Sequence, residues 1–317
     1  MADPSSVTTA IPGLKEQVTT DVTPEIPKPG DTVTITAETY SSDSNSSLIV
    51  WKVNGVTQLK GIGKKKFAFV MGESGTVTTV DLTISPQGAP DITKTFTFSP
   101  ADVDILWQAK TYTPPFYKGK ALYTPESEVV FVAQPNIITP TGKVDPTNAV
   151  YTWKKDYEVD GDNSGFGKNT YDFKGPIILN PVMIQAEVYA AANEGFKGQN
   201  GYKLTNVFPV ALAYEDDPIY GIFYNRAVRS QYHLGAQEVK FSVSPYFFST
   251  PDKNSLLSYS WNLDNSALDI PTFQNSVIFR RTDSLQGQSQ IDVSVSEDSK
   301  MLQSSGDSVT VFYDDKK

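Results

Sequence analysis

Three segments of the chain repeat one pattern of apolar and polar positions, and each segment is centred on a tryptophan. Polar turn residues and a second apolar strand follow each of Trp51, Trp153 and Trp261. The second apolar residue of that strand lies 18, 20 and 18 positions after its tryptophan, at Phe69, Phe173 and Phe279. Side chains of a strand repeat every second residue, so the residues two positions earlier should share its face, namely Phe67, Tyr171 and Val277. The tryptophans recur about every 105 residues, which is a domain-sized period.

An alternating strand precedes each tryptophan strand. Polar and apolar residues alternate strictly in 31–37, as they do in half-buried strands, and 128–135 and 238–245 are the counterparts of this strand in the other two repeats. Further short strands follow, with Asn-Gly, Asp-Gly and proline turns, and no segment has the sustained 3.6-residue period of a capped helix. The pattern predicts an all-β chain of three tandem β-sandwiches.

Proline, threonine and glycine divide the chain into segments. The first is an exposed Pro/Thr/Ser-rich leader or edge strand, and three domains follow it, so that the predicted boundaries are 1–30, 31–111, 112–213 and 214–317. The segments 112–122 and 214–228 carry prolines and aromatics where a flexible linker would carry glycine and serine. We expect stiff, packed joints there.

Composition removes several classes of function. The formal net charge of −9 argues against nucleic acid as a partner, because binding a phosphate backbone requires clustered lysine and arginine. The absence of cysteine excludes disulfides, thiolate nucleophiles and cysteine-ligated zinc. No apolar run approaches the roughly 20 residues of a membrane helix, so we predict no membrane span in this chain.

The tryptophan strands resemble the core of PKD and related immunoglobulin-like modules of bacterial cell-surface proteins. In those modules a tryptophan lies on a central strand, often within Tyr-x-Trp-x-Phe-Gly-Asp-Gly, and 151–153 and 259–264 match the first half. The Gly-Asp-Gly turn is missing, and Asn54-Gly55 and Asp264-Asn265 stand in its place. The resemblance covers roughly residues 31–317. It implies three tandem immunoglobulin/PKD-like β-sandwich domains in an elongated array, with no catalytic residues to transfer.

One loop has the beginning of a calcium-binding pattern. Asp160, Asp162 and Ser164 place oxygen ligands at alternate positions before a glycine, as an EF-hand-type loop does, and Glu158 could add a ligand. The twelfth position, which should hold a bidentate acid, is Tyr171. The alternative is a plain Asp/Asn/Gly turn between strands. Calcium is the one cofactor that the sequence suggests, and this loop is the first place to expect it.

Charged clusters admit two interpretations each. The acidic residues 215–217 and 314–315 lie at domain ends, where cadherin-like arrays hold calcium, or they are solvated turns. Lys60, Lys64, Lys65 and Lys66 could contact an anionic polysaccharide, or they could protect the edge of a hairpin from pairing.

Histidine and the aromatics are the remaining candidates. His233 is the only histidine, and without a Gly-x-Ser-x-Gly elbow it does not suggest a hydrolase. One set of aromatics could stack on sugar rings or could pack between domains: Trp107, Phe116, Tyr117, Tyr220, Phe223, Tyr224, Tyr246, Phe247 and Phe248.

These observations predict a class of role. We expect a non-enzymatic structural and adhesion protein, secreted or at the bacterial cell surface after removal of a signal peptide. It would be a semi-rigid stalk that contacts other surface proteins or surface glycans. The alternative is a carbohydrate-binding accessory module of an exported protein, and an enzyme is the third possibility.

Overall fold

The computed structural model describes residues 18–39, 44–249, 257–282 and 286–313. In this part of the chain all elements are β-strands except one three-residue 3-10 helix, Pro146–Asn148, which Asp145 caps by accepting the Thr147 N–H at 2.8 Å. The predicted all-β class is therefore confirmed.

The chain folds into two compact units. The first comprises Met1–Ile105, Ala133–Asn169 and Gln185–Tyr202, and the second comprises Leu106–Val132, Thr170–Ile184 and Lys203–Lys317. The first and third repeats each lie within one unit, and the strands of the second repeat are divided between the two. The three-domain boundaries given above stay a prediction.

The first repeat is a β-sandwich. Its seven described strands are β1 (Val18–Thr23), β2 (Thr32–Thr39), β3 (Leu48–Val53), β4 (Val56–Ile62), β5 (Lys66–Val70), β6 (Thr78–Ser85) and β7 (Ile92–Pro100). One sheet has the order β1-β2-β5, and the other contains β7-β6-β3-β4. Alternate apolar residues of both sheets, such as Ile35 and Leu82, are buried in one core. The edge strand β1 lies within the predicted 1–30 leader.

The second repeat contributes strands to two sheets. Its strands are β8 (Asp102–Ala109), β9 (Glu128–Asn136), β10 (Ile138–Thr139), β11 (Gly142–Lys143), β12 (Ala149–Lys155), β13 (Glu158–Val159), β14 (Gly165–Phe166), β15 (Thr170–Lys174), β16 (Val182–Ala190) and β17 (Asn193–Leu204). One sheet has the order β15-β9-β8, and β10 pairs with β11. The others continue the large sheet of the first repeat in the order β13-β12-β16-β17-β7. That sheet is continuous because Ser99 and Pro100 of β7 pair in parallel with Phe196 and Lys197.

The third repeat is a second sandwich. Its strands are β18 (Val210–Asp217), β19 (Gly221–Ala227), β20 (Ser230–His233), β21 (Glu238–Tyr246), β22 (Leu257–Leu263), β23 (Ser266–Ala267), β24 (Ser276–Arg280), β25 (Gly287–Glu297) and β26 (Ser304–Tyr313). The sheets have the orders β19-β18-β21-β24 and β20-β26-β25-β22-β23. Their inner faces share one core, which includes Phe241, Trp261 and Val293.

Strand register is the same in the three repeats. The first alternating strand of each repeat pairs with the strand that follows the tryptophan turn. Two equivalent pairs recur, namely Val33–Phe69, Val129–Phe173 and Val239–Phe279, and then Ile35–Phe67, Phe131–Tyr171 and Phe241–Val277. The predicted strand that follows each tryptophan is confirmed.

Each tryptophan occupies the same environment. Trp51, Trp153 and Trp261 are 0%, 0% and 1% exposed. Each indole Nε1–H donates to a backbone carbonyl just before the next long strand, at Lys64 (2.8 Å), Lys168 (2.9 Å) and Gln274 (3.1 Å). A buried indole N–H without an acceptor would cost about 1–3 kcal/mol, so this bond fixes both the ring and the loop.

A two-residue hairpin turn begins three residues after each tryptophan. Both central residues have positive φ, as a type I′ turn requires, with values of 49° and 79° at Asn54-Gly55 and 48° and 64° at Asp264-Asn265. Asparagine, aspartate and glycine tolerate this geometry. In the second repeat the second position is Tyr157, with φ of 72° and 72% exposure.

Tyr157 should therefore cost stability that a glycine would not. A non-glycine residue in the left-handed region is disfavoured by about 1–2 kcal/mol, and the exposed ring regains little of that by packing. We expect Tyr157→Gly to raise the free energy of unfolding by about 1 kcal/mol in urea titrations. Tyr157→Ala, which keeps the backbone penalty, is the matched control. Equal stability of the two variants would contradict this account of the turn.

Candidate functional site

The predicted calcium loop is a turn held together by its own hydrogen bonds. Asp160 accepts the N–H groups of Asp162 (3.1 Å) and Asn163 (3.2 Å), as in an Asx-type turn. The Ser164 hydroxyl donates to the Asp160 carbonyl at 2.5 Å and accepts the Trp153 N–H at 2.9 Å. The structure therefore brings Asp160, Asp162 and Ser164 into one turn below the tryptophan strand.

The two remaining features of this loop concern charge. Glu158 lies on β13 opposite Lys155 and is exposed. Lys168 donates its ammonium to the Asp162 carbonyl at 2.6 Å, so a side-chain cation already contacts one loop oxygen. Among the described residues, no group of three or more histidine, aspartate and glutamate side chains is arranged to hold a metal ion. Calcium at this loop stays a prediction.

The acidic residues at the second junction all have partners. Glu215 pairs with Arg226 at 3.2 Å, and Asp217 accepts the N–H groups of the two residues at the hairpin tip. Burial acts to raise the pKa of Asp216, but hydrogen bonds from Lys240 (2.6 Å) and Ser242 (2.9 Å) hold it below its usual value. The second cluster, 314–315, lies outside the described residues.

The basic and imidazole candidates lie at exposed or edge positions. Lys65 immediately precedes β5 and pairs with Glu38 of β2 at 3.0 Å, and Lys60 lies on the exposed strand β4. His233 is exposed and stacks on Phe312, with ring centroids 5.3 Å apart. Within the described residues no helix has the length and apolar character needed to cross a bilayer.

Aromatic side chains cluster in the second unit where the predicted junction segment meets the third sandwich. We call this cluster the aromatic joint: Tyr112, Phe116, Tyr117, Tyr214, Tyr224, Tyr246 and Phe247. Backbone bonds attach the predicted junction segment to the third sandwich. The Tyr112 N–H donates to the Phe248 carbonyl at 2.7 Å, and the Phe247 N–H donates to the Tyr112 carbonyl at 2.8 Å. Thr111 and Ser249 form an isolated bridge beside them.

Ring contacts continue this attachment. Tyr224 lies between Tyr214 and Phe116, with centroid distances of 5.3 and 6.4 Å. Tyr117 meets Tyr246 and Phe247 edge-on at 5.9 and 5.7 Å. Edge-to-face and tilted arrangements of this kind add about 0.5–1.5 kcal/mol per pair beyond area burial.

Tyrosine hydroxyls converge inside the joint. The Tyr214 and Tyr246 hydroxyls are 2.6 Å apart. Burial raises the pKa of Tyr214 well above its usual value, and the hydrogen bond with Tyr246 raises it further. Burial also raises the pKa of Tyr112, with smaller contributions from Tyr224 and Tyr246. The joint thus favours neutral tyrosines.

A buried glutamine connects the same segments on the other side. Gln303 is 1% exposed, and its Oε1 accepts the Ser249 N–H at 2.8 Å. Its Nε2 donates to the Pro125 carbonyl and to the Ser249 hydroxyl, both at 2.7 Å. The Thr124 hydroxyl donates to the Phe247 carbonyl at 3.0 Å, and Glu126 accepts the Leu302 N–H at 2.8 Å.

Sequence reasoning did not find this network, because nothing in the local sequence distinguishes Gln303 from an exposed glutamine. The sequence does indicate the aromatic residues, and some of them pack within the protein as predicted for one interpretation while others are exposed as predicted for the other. Phe248 is fully buried and the rings of the joint pack on one another. Phe116 contacts Tyr224 within the joint but is 87% exposed, and Tyr220, outside the joint, is 78% exposed. Phe116 also has a positive φ of 66°, which is unfavourable for a bulky residue.

No family model and no curated protein sequence matches the chain. Among solved structures, three N-terminal domains of the bacteriophage RB49 highly immunogenic outer capsid protein (Hoc) match over 95% of this chain and 99% of that chain, with TM-score 0.27 and 10% identity. The central fibronectin-III array of RIM-binding protein matches over 93% and 96%, with TM-score 0.32 and 11% identity. Bacteroides ovatus SGBP-B, solved with a mixed-linkage heptasaccharide, matches over 93% and 70%, with TM-score 0.22 and 8% identity.

The tyrosine pair should make stability depend on alkaline pH. The folded-state pKa of Tyr214 lies above the value of 10.0 expected in the unfolded chain. The contribution of Tyr214 to the free energy of unfolding is therefore complete below pH 10 and is lost as the pH rises above 10. We expect Tyr214→Phe to cost about 1 kcal/mol at pH 8 and to show a flatter decline between pH 10 and 11.5 in urea titrations. Tyr220→Phe, at an exposed position, is the control. A wild-type curve parallel to that of Tyr214→Phe would contradict the assignment.

Proposed function

We propose that this chain is a non-enzymatic extracellular structural and adhesion protein, a semi-rigid stalk of immunoglobulin-like domains that projects or mediates surface contacts. The observation that carries the proposal is the junction itself. The segment after the first repeat is fixed to the third sandwich by the aromatic joint and by Gln303. A junction whose polar groups are buried and satisfied transmits orientation, whereas a solvated Gly/Ser linker does not.

The distribution of reactive groups also supports a non-enzymatic role. His233 is exposed and stacks on Phe312, and the carboxylates of 215–217 form ion pairs and cap a turn. A general acid or base needs a positioned partner near a pocket that excludes water. The described residues are instead used for sheet, turn and joint contacts, which is the pattern expected of a scaffold.

Spin-label distances test the stiffness of the stalk. The chain has no cysteine, so Asp172→Cys on β15 with Ser260→Cys on β22 gives a single labelled pair on two exposed positions of the second unit. We expect one narrow distance distribution in double electron–electron resonance. Adding Gln303→Ala should broaden it, because the substitution leaves the Pro125 carbonyl and the Ser249 N–H without their partner.

Gln288→Ala, at an exposed position, is the matched control and should leave the distribution narrow. A broad distribution in the wild-type chain would overturn the semi-rigid stalk. Labelling of intact source cells with an antibody against the chain would test the extracellular location separately.

A carbohydrate-binding role is the second candidate, and the exposed rings of Phe116 and Tyr220 favour it. An exposed aromatic face can stack on the apolar face of a sugar ring, and large exposed apolar side chains often mark contact sites. In affinity electrophoresis through soluble β-glucan, xyloglucan or galactomannan, we expect retardation that Phe116→Ser and Tyr220→Ser reduce. Phe166→Ser, which removes a 62%-exposed ring in the other unit, is the control. No retardation in any of these gels would remove this candidate.

A further inference from the structure

A cavity of about 400 Å³ opens into the core of the third sandwich. It lies between the two sheets, and its apolar lining includes Val239, Val277, Phe279, Ile291 and Val311. Protein cores contain few voids larger than a water molecule, and small-molecule sites have volumes of about 300–1,000 Å³. The cavity therefore has the size and lining of a binding site for a small apolar group.

The repeated register explains why the cavity exists. The pairs Ile35–Phe67 and Phe241–Val277 are equivalent, so Val277 stands where the first sandwich has Phe67. In the first sandwich that ring stacks on Trp51 at 5.4 Å and on Phe69 at 5.9 Å.

A second position shows the same reduction. Trp51–Leu82 and Trp261–Val293 are equivalent pairs, which makes Thr78–Phe98 equivalent to Ser289–Val311. Val311 therefore replaces Phe98, whose ring lies 5.5 Å from Phe69 in the first sandwich. Two phenylalanines that fill the first core are valines in the third, and both valines line the cavity.

The polar residues of the lining indicate the charge of the ligand. Among the described lining residues the only charged ones are Arg280 and Arg281. Arg280 is paired with Glu238, to which its Nε donates at 2.7 Å, and the Arg281 guanidinium lies over the Tyr313 ring, 5.9 Å from the centroid. Thr282, Ser289 and Tyr313 add hydroxyl groups. An apolar cavity beside the Arg281 guanidinium and several hydroxyls complements an aliphatic chain with an anionic head.

We propose that the third sandwich binds a small anionic amphiphile, a linear aliphatic carboxylate, in this cavity. The aliphatic chain of the ligand would occupy the part of the third sandwich that corresponds to the positions of Phe67 and Phe98 in the first, and the carboxylate of the ligand would contact Arg281. This site is independent of the stalk function, which depends on the aromatic joint, and either proposal can fail without the other.

Calorimetric titration with octanoate and with octan-1-ol tests the site. We expect octanoate to bind the full chain with one-to-one stoichiometry. Arg281→Gln should weaken octanoate about tenfold, as expected for loss of a charge-assisted bond, and should leave octan-1-ol binding within about twofold. Val277→Phe and Val311→Phe, which restore the residues of the first sandwich, should each abolish binding of both probes.

Val56→Phe, the same substitution at a position that is 61% exposed in the first sandwich, is the matched control and should bind normally. Circular dichroism establishes whether each variant is folded. If one of the two cavity-filling variants does not fold, the other is sufficient for the test. No octanoate binding by the wild-type chain would overturn the proposal. Unchanged binding by a folded cavity-filling variant would do the same, because the probe would then occupy another site. Equal effects of Arg281→Gln on both probes would overturn the preference for an anion.

Discussion

A buried indole N–H requires an acceptor, and this requirement organises all three repeats. Each tryptophan is excluded from water and donates to a carbonyl 13 or 15 residues later in the chain. The bond connects the central strand of one sheet to the loop that leads into the other sheet. That loop leads directly into the strand on which Phe69, Phe173 or Phe279 pairs with a valine, so the bond holds the tryptophan strand next to the start of that pairing. The alternation of apolar and polar residues and the hairpin turn specify strand register as well.

Strand pairing, hydrogen bonds and ring contacts connect the neighbouring repeats within each unit. In the first unit β7 pairs with β6 of the first repeat and, through Ser99 and Pro100, with β17 of the second repeat, so strands of both repeats belong to one sheet. In the second unit the segment after Lys110 is attached to the third sandwich by backbone bonds, tyrosine hydroxyls and Gln303. Buried polar groups of this kind are costly unless all are satisfied, and a satisfied network specifies one arrangement. The joint is therefore specific as well as stable.

The same register allows the repeats to differ in one useful way. Because the backbone is fixed by strand pairing and by the tryptophan bond, side-chain size at equivalent positions can change without changing the fold. The first sandwich has phenylalanines where the third has valines, and the third has a cavity there. Tyr157 and Phe116 show the opposite case, in which a bulky residue occupies a backbone position that disfavours it. Such positions persist only where the surrounding structure holds them.

The sequence by itself determined the elements that depend on local periodicity. Alternation gave the strands, the tryptophan spacing gave three repeats, and the shared offset to Phe69, Phe173 and Phe279 gave the strand that follows each turn. It also selected the aromatics of the second unit, although it could not divide them into packed and exposed rings. Only the tertiary structure showed that β8, which precedes the predicted boundary at 111/112, pairs with β9, which follows it, and that Gln303 is buried. It alone also showed the cavity beside Val277. These features depend on contacts between residues far apart in the chain, and local pattern carries no information about which distant backbone group a side chain will meet.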